Sequence, residues 1–260
     1  MCRSTIVVPP ALVLALWAGV ARSTEPVRAV DEAIVRDARQ PQAAIDRDGG
    51  IHVVFGSGDS IYHAASDDAK AFGPPVKVAS EGKLSLGMRR GPRIAIARGA
   101  IVISAIVGAR GGGRDGDLLA WRSTDGGKSW SSSTRVNGVA GSAREGLHAM
   151  AAGEQGRVYS VWLDLRGGRT EIFGSGSEDG GASWSQNKRI YRSPSGSVCE
   201  CCHPSVAFGP HGTLYVMWRN SIDGLRDMFL VKSPDGGATF GQTGGHGQGR
   251  IWAKVVPPRL

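Results

Sequence analysis

The sequence predicts an all-β domain of radially arranged four-stranded blades, a propeller, and three observations predict it. A Ser-x-Asp-x-Gly turn closed by an aromatic residue recurs along the chain, a strand-opening landmark recurs with it, and no stretch keeps a helical period. Ser123 to Trp130, Ser177 to Trp184 and Ser233 to Phe240 superimpose without gaps, and a worn copy runs from Ser66 to Phe72. Their aspartates Asp68, Asp125, Asp179 and Asp235 are 57, 54 and 56 residues apart. That period holds one small sheet.

Each repeat opens on a short apolar strand, at Pro41 to Ile45, Pro92 to Ile96, His148 to Ala152 and Pro204 to Phe208. A turn leads to a second strand ending on a large apolar residue, as in Ile51 to Phe55, Val158 to Trp162 and Leu214 to Trp218. The third strand (Ile61 to Ala65, Leu118 to Arg122, Ile172 to Gly176, Met228 to Lys232) runs into the box, and a fourth follows it, at Val76 to Ala79 and Lys188 to Tyr191. Within the box Ser and Asp side chains can bond turn backbone, glycines permit positive φ, and the aromatic tucks into the blade. Ser123, Asp125, Trp130, Ser177, Asp179, Trp184, Ser233, Asp235 and Phe240 are therefore structural staples.

The ends read differently. Arg3, an apolar run from Ile6 to Ala21, and small Gly19 and Ala21 before the break mark residues 1–21 as a signal peptide. That run has 16 residues and contains Pro9 and Pro10, too short for a span, so an exported chain with no stable membrane span is expected. Cys2 leaves with the signal. One domain follows over 22–240, and 241–260 is a Gly-rich basic tail without a strand pattern. The formal charge of +8 becomes +7 without Arg3, with arginine prominent, which suits carboxylate or phosphate partners as well as a solvated surface. Nucleic acid is a poor partner, since no nucleic-acid module is present.

The boxes resemble the Asp-box, or BNR, repeats of the sialidase superfamily over Arg39 to Phe240. The resemblance implies the fold more strongly than an activity, since such boxes also occur in other glycosidases, sorting receptors and binding proteins. It implies six blades, against the four seen here, so the chain reads as a truncated or incomplete six-bladed propeller; four blades closing alone is the alternative. The family's Arg-x-Pro motif, which supplies one arginine of a carboxylate-binding triad, is matched by Arg39-Gln40-Pro41, with Ala38 where an aromatic is usual. Arg90-Gly91-Pro92 repeats the pattern. By position Asp59 matches the family's acid/base aspartate, so Arg39 and Asp59 are the catalytic candidates. The family's nucleophile is a last-blade tyrosine activated by glutamate. Tyr62, Tyr159, Tyr191 and Tyr215 all fall in or beside strands.

If the Pro41-type strand is innermost, the boxes lie at the bottom of the blades and the ligand-accessible loops at the top. Arg39, Arg89, Arg90 and Arg144 precede inner strands, and Arg110, Arg114, Arg166, Arg169, Arg219 and Arg226 lie on loops between second and third strands. Arg90, Arg144, Arg166, Arg219 and Arg226 are the candidate binders of an anionic or glycan ligand. Alternatively, pairs such as Arg226-Asp227 and Arg114-Asp115 are blade-to-blade ion pairs.

Cys199-Glu200-Cys201-Cys202-His203 precedes the fourth inner strand, also at the top. Export favours a Cys199–Cys202 or Cys199–Cys201 disulfide with one odd thiol. The other readings are an inert loop and a soft metal, zinc or copper, held by Cys199, Cys201, Cys202 and His203, although no cofactor is otherwise expected. With Trp218-Arg219-Asn220 and Arg226-Asp227, the cluster is similar to one carried by a branch of exported Asp-box proteins. Three functions follow: a sialidase-like propeller that binds its ligand without complete machinery, an exo-glycosidase hydrolysing terminal sialic acids, or a thiol or metal site. A Tyr-Glu pair with three convergent arginines discriminates the second.

Overall fold

A computed structural model describes residues 26–143, 145–222 and 225–241; the signal segment 1–21, Arg144, and all of the 241–260 tail except Gly241 lie outside the described residues. The first blade is the antiparallel sheet β1 (Arg39–Ile45), β2 (Ile51–Ser57), β3 (Ser60–Ser66) and β4 (Val76–Ala79) in that order. In the second, β7 (Ala100–Gly108) is long enough for two short strands to share its inner edge. β5 (Lys83–Leu84) pairs Val107 and Gly108, and β6 (Arg93–Ala97) pairs Ala100 to Ser104, while β8 (Asp117–Ser123) and β9 (Thr134–Arg135) complete five strands. The third blade is β10 (His148–Ala152), β11 (Val158–Asp164), β12 (Glu171–Ser177) and β13 (Lys188–Tyr191). The fourth is β14 (Ser205–Phe208), β15 (Leu214–Ile222) and β16 (Leu225–Ser233).

Four strands per blade hold in the first and third blades, with one more in the second and three within the described residues in the fourth. β9 and β13 follow their boxes within the described residues, whereas the segment after the fourth box is outside them, and the second blade gains a strand where its inner edge is broken by Gly87 to Pro92. The third strands extend one residue beyond each predicted end in the first three blades. No α-helix occurs among the described residues, which hold only short 3-10 turns at Glu154–Gly156 and Pro210–Gly212, and no helix there is long and apolar enough to cross a membrane.

Blades pack face to face because each strand alternates its side chains between the two faces of a small sheet. Val54 and Ile61 meet Ile103, Ile94 and Trp121 between blades one and two; Val102, Ile106 and Leu118 meet Val158, Trp162 and Phe173 between two and three; Val161, Ile172 and Tyr191 meet Leu214, Val216 and Trp218 between three and four. The middle inner strands β6 and β10 are largely covered, whereas β1 and β14 are half or more exposed.

The boxes tie these faces together. In the three intact copies the serine hydroxyl donates to the aspartate (2.7, 2.8 and 2.6 Å) and accepts the second glycine N–H at 2.8 Å in each. The same aspartate accepts the backbone N–H and hydroxyl of Ser129, Ser183 or Thr239. In the worn copy the Ser66–Asp68 contact stretches to 3.4 Å, and Ala69 takes φ 59° where Gly126 has φ 76°. Each intact box also seats on the blade before it: Gly127 lies against His63, Gly181 against Val102 and Gly237 against Tyr159. Arg122 of blade two donates to the carbonyl of Gly180 in the next box at 3.0 Å.

This seating separates the two glycines of a box. A Cβ on Gly181 stands 2.8 Å from Val102 Cγ2 at φ +84°, whereas one on Gly126 meets nothing within 4 Å at φ +76°. Gly181→Ala is expected to cost about 2–4 kcal/mol in urea unfolding, from clash plus strain, and Gly126→Ala only about 1 kcal/mol of strain. Equal losses would show that the seat is loose.

Candidate functional site at the top of the blades

The antiparallel order sets the polarity of every blade. Inner strands begin, and second strands end, at the edge opposite the boxes, so the loops holding Arg39, Asp59, residues 85–92, 109–116, 141–143, 145–147, 165–170 and 192–204 share the top. Residues 199–203 therefore lie opposite the boxes.

At the centre of this face lies a residue the sequence reading passed over. Arg93, 5% exposed, begins β6 and fans its guanidinium across three loops. Nε donates to the His148 carbonyl at 3.1 Å, Nη1 to the carbonyls of Gly91 and Pro92 at 3.1 and 3.0 Å, and Nη2 to that of Arg89 at 2.5 Å. Nη2 also lies 2.6 Å from His203 Nε2. An arginine can only donate, so His203 accepts there and is the neutral Nδ1–H tautomer. Burial, reinforced by the Arg93 charge, lowers its pKa to about 4, and burial lowers that of Arg93 to about 10. His148, fully buried, places Nε2 3.0 Å from Ser104 Oγ, and burial holds it well below the ordinary histidine range. A signal for this centre existed: His148 stands where the other three repeats open on proline.

The two catalytic candidates are not brought together with other site groups. Arg39 Nε bonds its neighbour Asp37 at 2.8 Å, and Asp59 pairs with Lys83 at 2.7 Å. Arg90 is half-buried, with Nε donating to the Glu145 carbonyl at 2.8 Å. Arg144 lies outside the described residues. Arg166 is spent inside the fold. It makes a two-pronged pair with the fully buried Asp164, donates to Asn187, and stacks its guanidinium 4.0 Å from the centre of the Phe173 ring. Asp164 further accepts Ser142 Oγ and Trp162 Nε1, and these bonds hold it below the carboxylate range despite burial. Arg219 and Arg226 lie on adjacent strands of blade four, opposite Met228 and Ser221, and neither guanidinium makes a hydrogen bond or ion pair among the described residues.

The alternative of blade-to-blade pairs is corrected as well. Asp115 accepts the N–H groups of Ala109, Arg110 and Gly111, and Arg114 donates to the Arg110 carbonyl, so this cluster knots one loop. No pair joins Arg226 to Asp227 among the described residues, because they are neighbours on a strand and point to opposite faces.

Cys199 and Cys202 form a disulfide with Cα atoms 5.4 Å apart, and Cys201 is an exposed free thiol whose Sγ is 3.6 Å from Cys199 Sγ. The loop is moored: Val198 N–H bonds the Thr170 carbonyl, and Thr170 Oγ1 donates to Glu200 at 3.2 Å. His203 is withdrawn from the sulfurs by Arg93, so the four-ligand arrangement with His203 is not formed. Two cavities lie away from the cysteine loop. One of about 370 Å³ is lined by Arg135, Arg166, Trp184 and Asn187 between the outer strands of blades two and three, and one of about 340 Å³ by Gly153, Phe208 and Pro210 at the hairpins after β10 and β14. Both are shallow, and loop convergence singles out the top.

Boxed, radially packed sheets of this order define a β-propeller of the sialidase type. A family model described as a BNR repeat-like domain matches residues 47–247, and the chain belongs to that family. No curated protein matches it. Among solved structures, a leech intramolecular trans-sialidase complexed with 2,7-anhydro-Neu5Ac is similar at 13% identity over 87% of this chain and 53% of its own, with a TM-score of 0.55. An α-L-arabinofuranosidase from Fusarium graminearum aligns at 13% identity over 80% and 64%, TM-score 0.52, and an α-L-arabinanase from Penicillium chrysogenum at 14% over 80% and 66%, TM-score 0.50. The chain thus spans between about half and two thirds of their lengths, and at these identities the likeness is one of fold.

Proposed function

We propose that the chain is an exported propeller that binds an anionic or acidic-glycan ligand on its top face without complete sialidase machinery. The observation that supports this most is the imbalance of the top face. Four of its acids are already engaged: Asp115 caps a loop, Asp164 is locked to Arg166, Asp59 to Lys83 and Glu171 to Arg192. Arg89 is exposed and its guanidinium makes no bond among the described residues; Arg219 is likewise unpaired, and Arg90 stands beside Arg89. Surplus guanidinium groups, on the loop before β6 and on β15, suit a carboxylate, sulfate or phosphate. The similar solved structures named above include proteins in complex with sugars, which fits a glycan as the carrier of that charge.

Hydrolysis is a poorer fit. Arg39 and Asp59 each spend their charge on a neighbour, and the four tyrosines serve the fold. Tyr159 is buried against Phe240, Tyr191 stacks on Trp218 and receives a hydrogen bond from Asn220, Tyr62 stacks on Phe55, and Tyr215 packs on Gly209.

Calorimetry with sialyllactose and with a sulfated disaccharide tests the reading. At least one should bind at low salt, with affinity falling as salt rises, and Arg89→Ala with Arg90→Ala should weaken binding about tenfold or more. A sialoside reporter should not turn over. Turnover at ordinary enzyme rates, about 1 s⁻¹ or faster, that disappears in Arg39→Ala would replace binding by glycoside hydrolysis.

A further inference from the structure

We propose that the three cysteines of the top loop, once reduced, form an all-sulfur site for a soft monovalent ion, copper(I), and that the Cys199–Cys202 disulfide is the closed form of that site.

The geometry supplies the donors. All three Sγ atoms lie within 4.8 Å of one another. Metal–thiolate bonds of about 2.3 Å set sulfurs about 4 Å apart around a single ion, so modest adjustment closes the set. The loop is held from outside, with Val198 and Glu200 bonded to Thr170 and Pro204 buried before the inner strand, and from within by the Cys202 N–H on the Cys199 carbonyl at 3.1 Å. Cys201 is exposed, which gives an incoming ion access.

The ion's identity follows from what is missing around the sulfurs. His203 Nε2 is held by Arg93, and the Glu200 carboxylate, which accepts one bond from Thr170, is a hard oxygen donor that suits copper(I) poorly. Thiolates suit both zinc and copper(I), but zinc in structural sites takes four ligands whereas copper(I) accepts the three present here. Three thiolates around one monovalent cation leave a doubly anionic centre. Cationic surroundings favour it, and the Arg93 guanidinium lies 2.6 Å from the ring of the adjacent His203.

The chemistry balances. A dithiol attacks the Cys199–Cys202 bond, delivers two electrons and two protons, and leaves as its own disulfide. Copper(I) then replaces the three thiol protons, which pass to solvent, and no change in the metal's oxidation state is needed.

The test uses the whole chain. Protein purified without reductant should be alkylated at Cys201 and at neither Cys199 nor Cys202, and should retain no copper(I). After reduction with a phosphine and its removal under anaerobic conditions, titration with copper(I) in acetonitrile against a chelating dye should leave one ion per chain. A thiolate-to-copper charge-transfer absorption should appear with it. Cys201→Ser keeps the disulfide pair and should lower affinity on the order of a hundredfold or more, since even outer-shell changes cost 10–100-fold. Complete loss of copper to the dye, unchanged retention in Cys201→Ser, or preferential retention of zinc would each overturn the proposal. So would loss of the β-sheet circular dichroism on reduction, because the site is then not one of the folded propeller.

Discussion

Arg93→Ala is expected to lose about 3–5 kcal/mol of stability in urea unfolding, the largest effect of any single substitution at the top of the blades. The guanidinium is buried and satisfies four backbone carbonyls and His203, drawn from its own loop, the start of β10 and the cysteine loop. Alanine leaves these acceptors without their donor. Arg93→Lys should recover little, because an ammonium on a flexible stem cannot reach carbonyls in several directions at once. A loss below about 1 kcal/mol in either variant would mean that the loops hold their positions without the arginine.

Acid should weaken the fold well before its carboxylates protonate. His63 is 2% exposed and hydrogen-bonded through Nε2 to His52 Nδ1 at 3.0 Å, and His52 Nε2 in turn meets Asp46 at 3.3 Å. Burial, then the His52 charge, lowers the His63 pKa from 6.5 to about 4, and His203 moves the same way. A folded-state value below the unfolded one means that the unfolded chain holds more protons. The stabilisation is therefore whole above about pH 6.5 and lost as pH falls toward 4. For His63 alone the shift corresponds to roughly 3 kcal/mol. The box aspartates act in a lower window: hydrogen bonds depress Asp125 and Asp235, so their contribution is lost only as pH falls below the ordinary carboxylate value of 3.8. Melting temperatures should thus fall between neutral pH and about pH 4.5, with a shallower fall in His63→Gln. An unchanged melting temperature over that range would contradict the buried, neutral state of His63.

Much of this fold is legible in the sequence because its signals are local. A box fixes its own turn through contacts two to four residues apart, so Ser123, Asp125 and Gly127 announce their geometry without knowledge of the rest of the chain. Strand polarity follows from the order of turns, which places the cysteines opposite the boxes. The top-face centre was less legible, because Arg93 joins residues 55 and 110 positions away and resembles any other arginine of a basic loop. The same holds for Arg166, whose surroundings at Asp164, Phe173 and Asn187 turn an expected ligand contact into an internal support. The histidine pair was missed for a different reason. His52 and His63 face each other only because β2 and β3 pair in a register that sets Val54 opposite His63.

The seating of each box in the blade before it gives assembly a direction. The second blade's box needs His63, the third's Val102 and the fourth's Tyr159, while none of those residues needs the box that follows in order to join its own sheet. A chain appearing from its N-terminal end therefore offers a finished seat to every new turn as it arrives. Fragments cut from the two ends are unequal for the same reason: an N-terminal pair of blades has its box seated, whereas a C-terminal pair carries one box whose seat has been left behind.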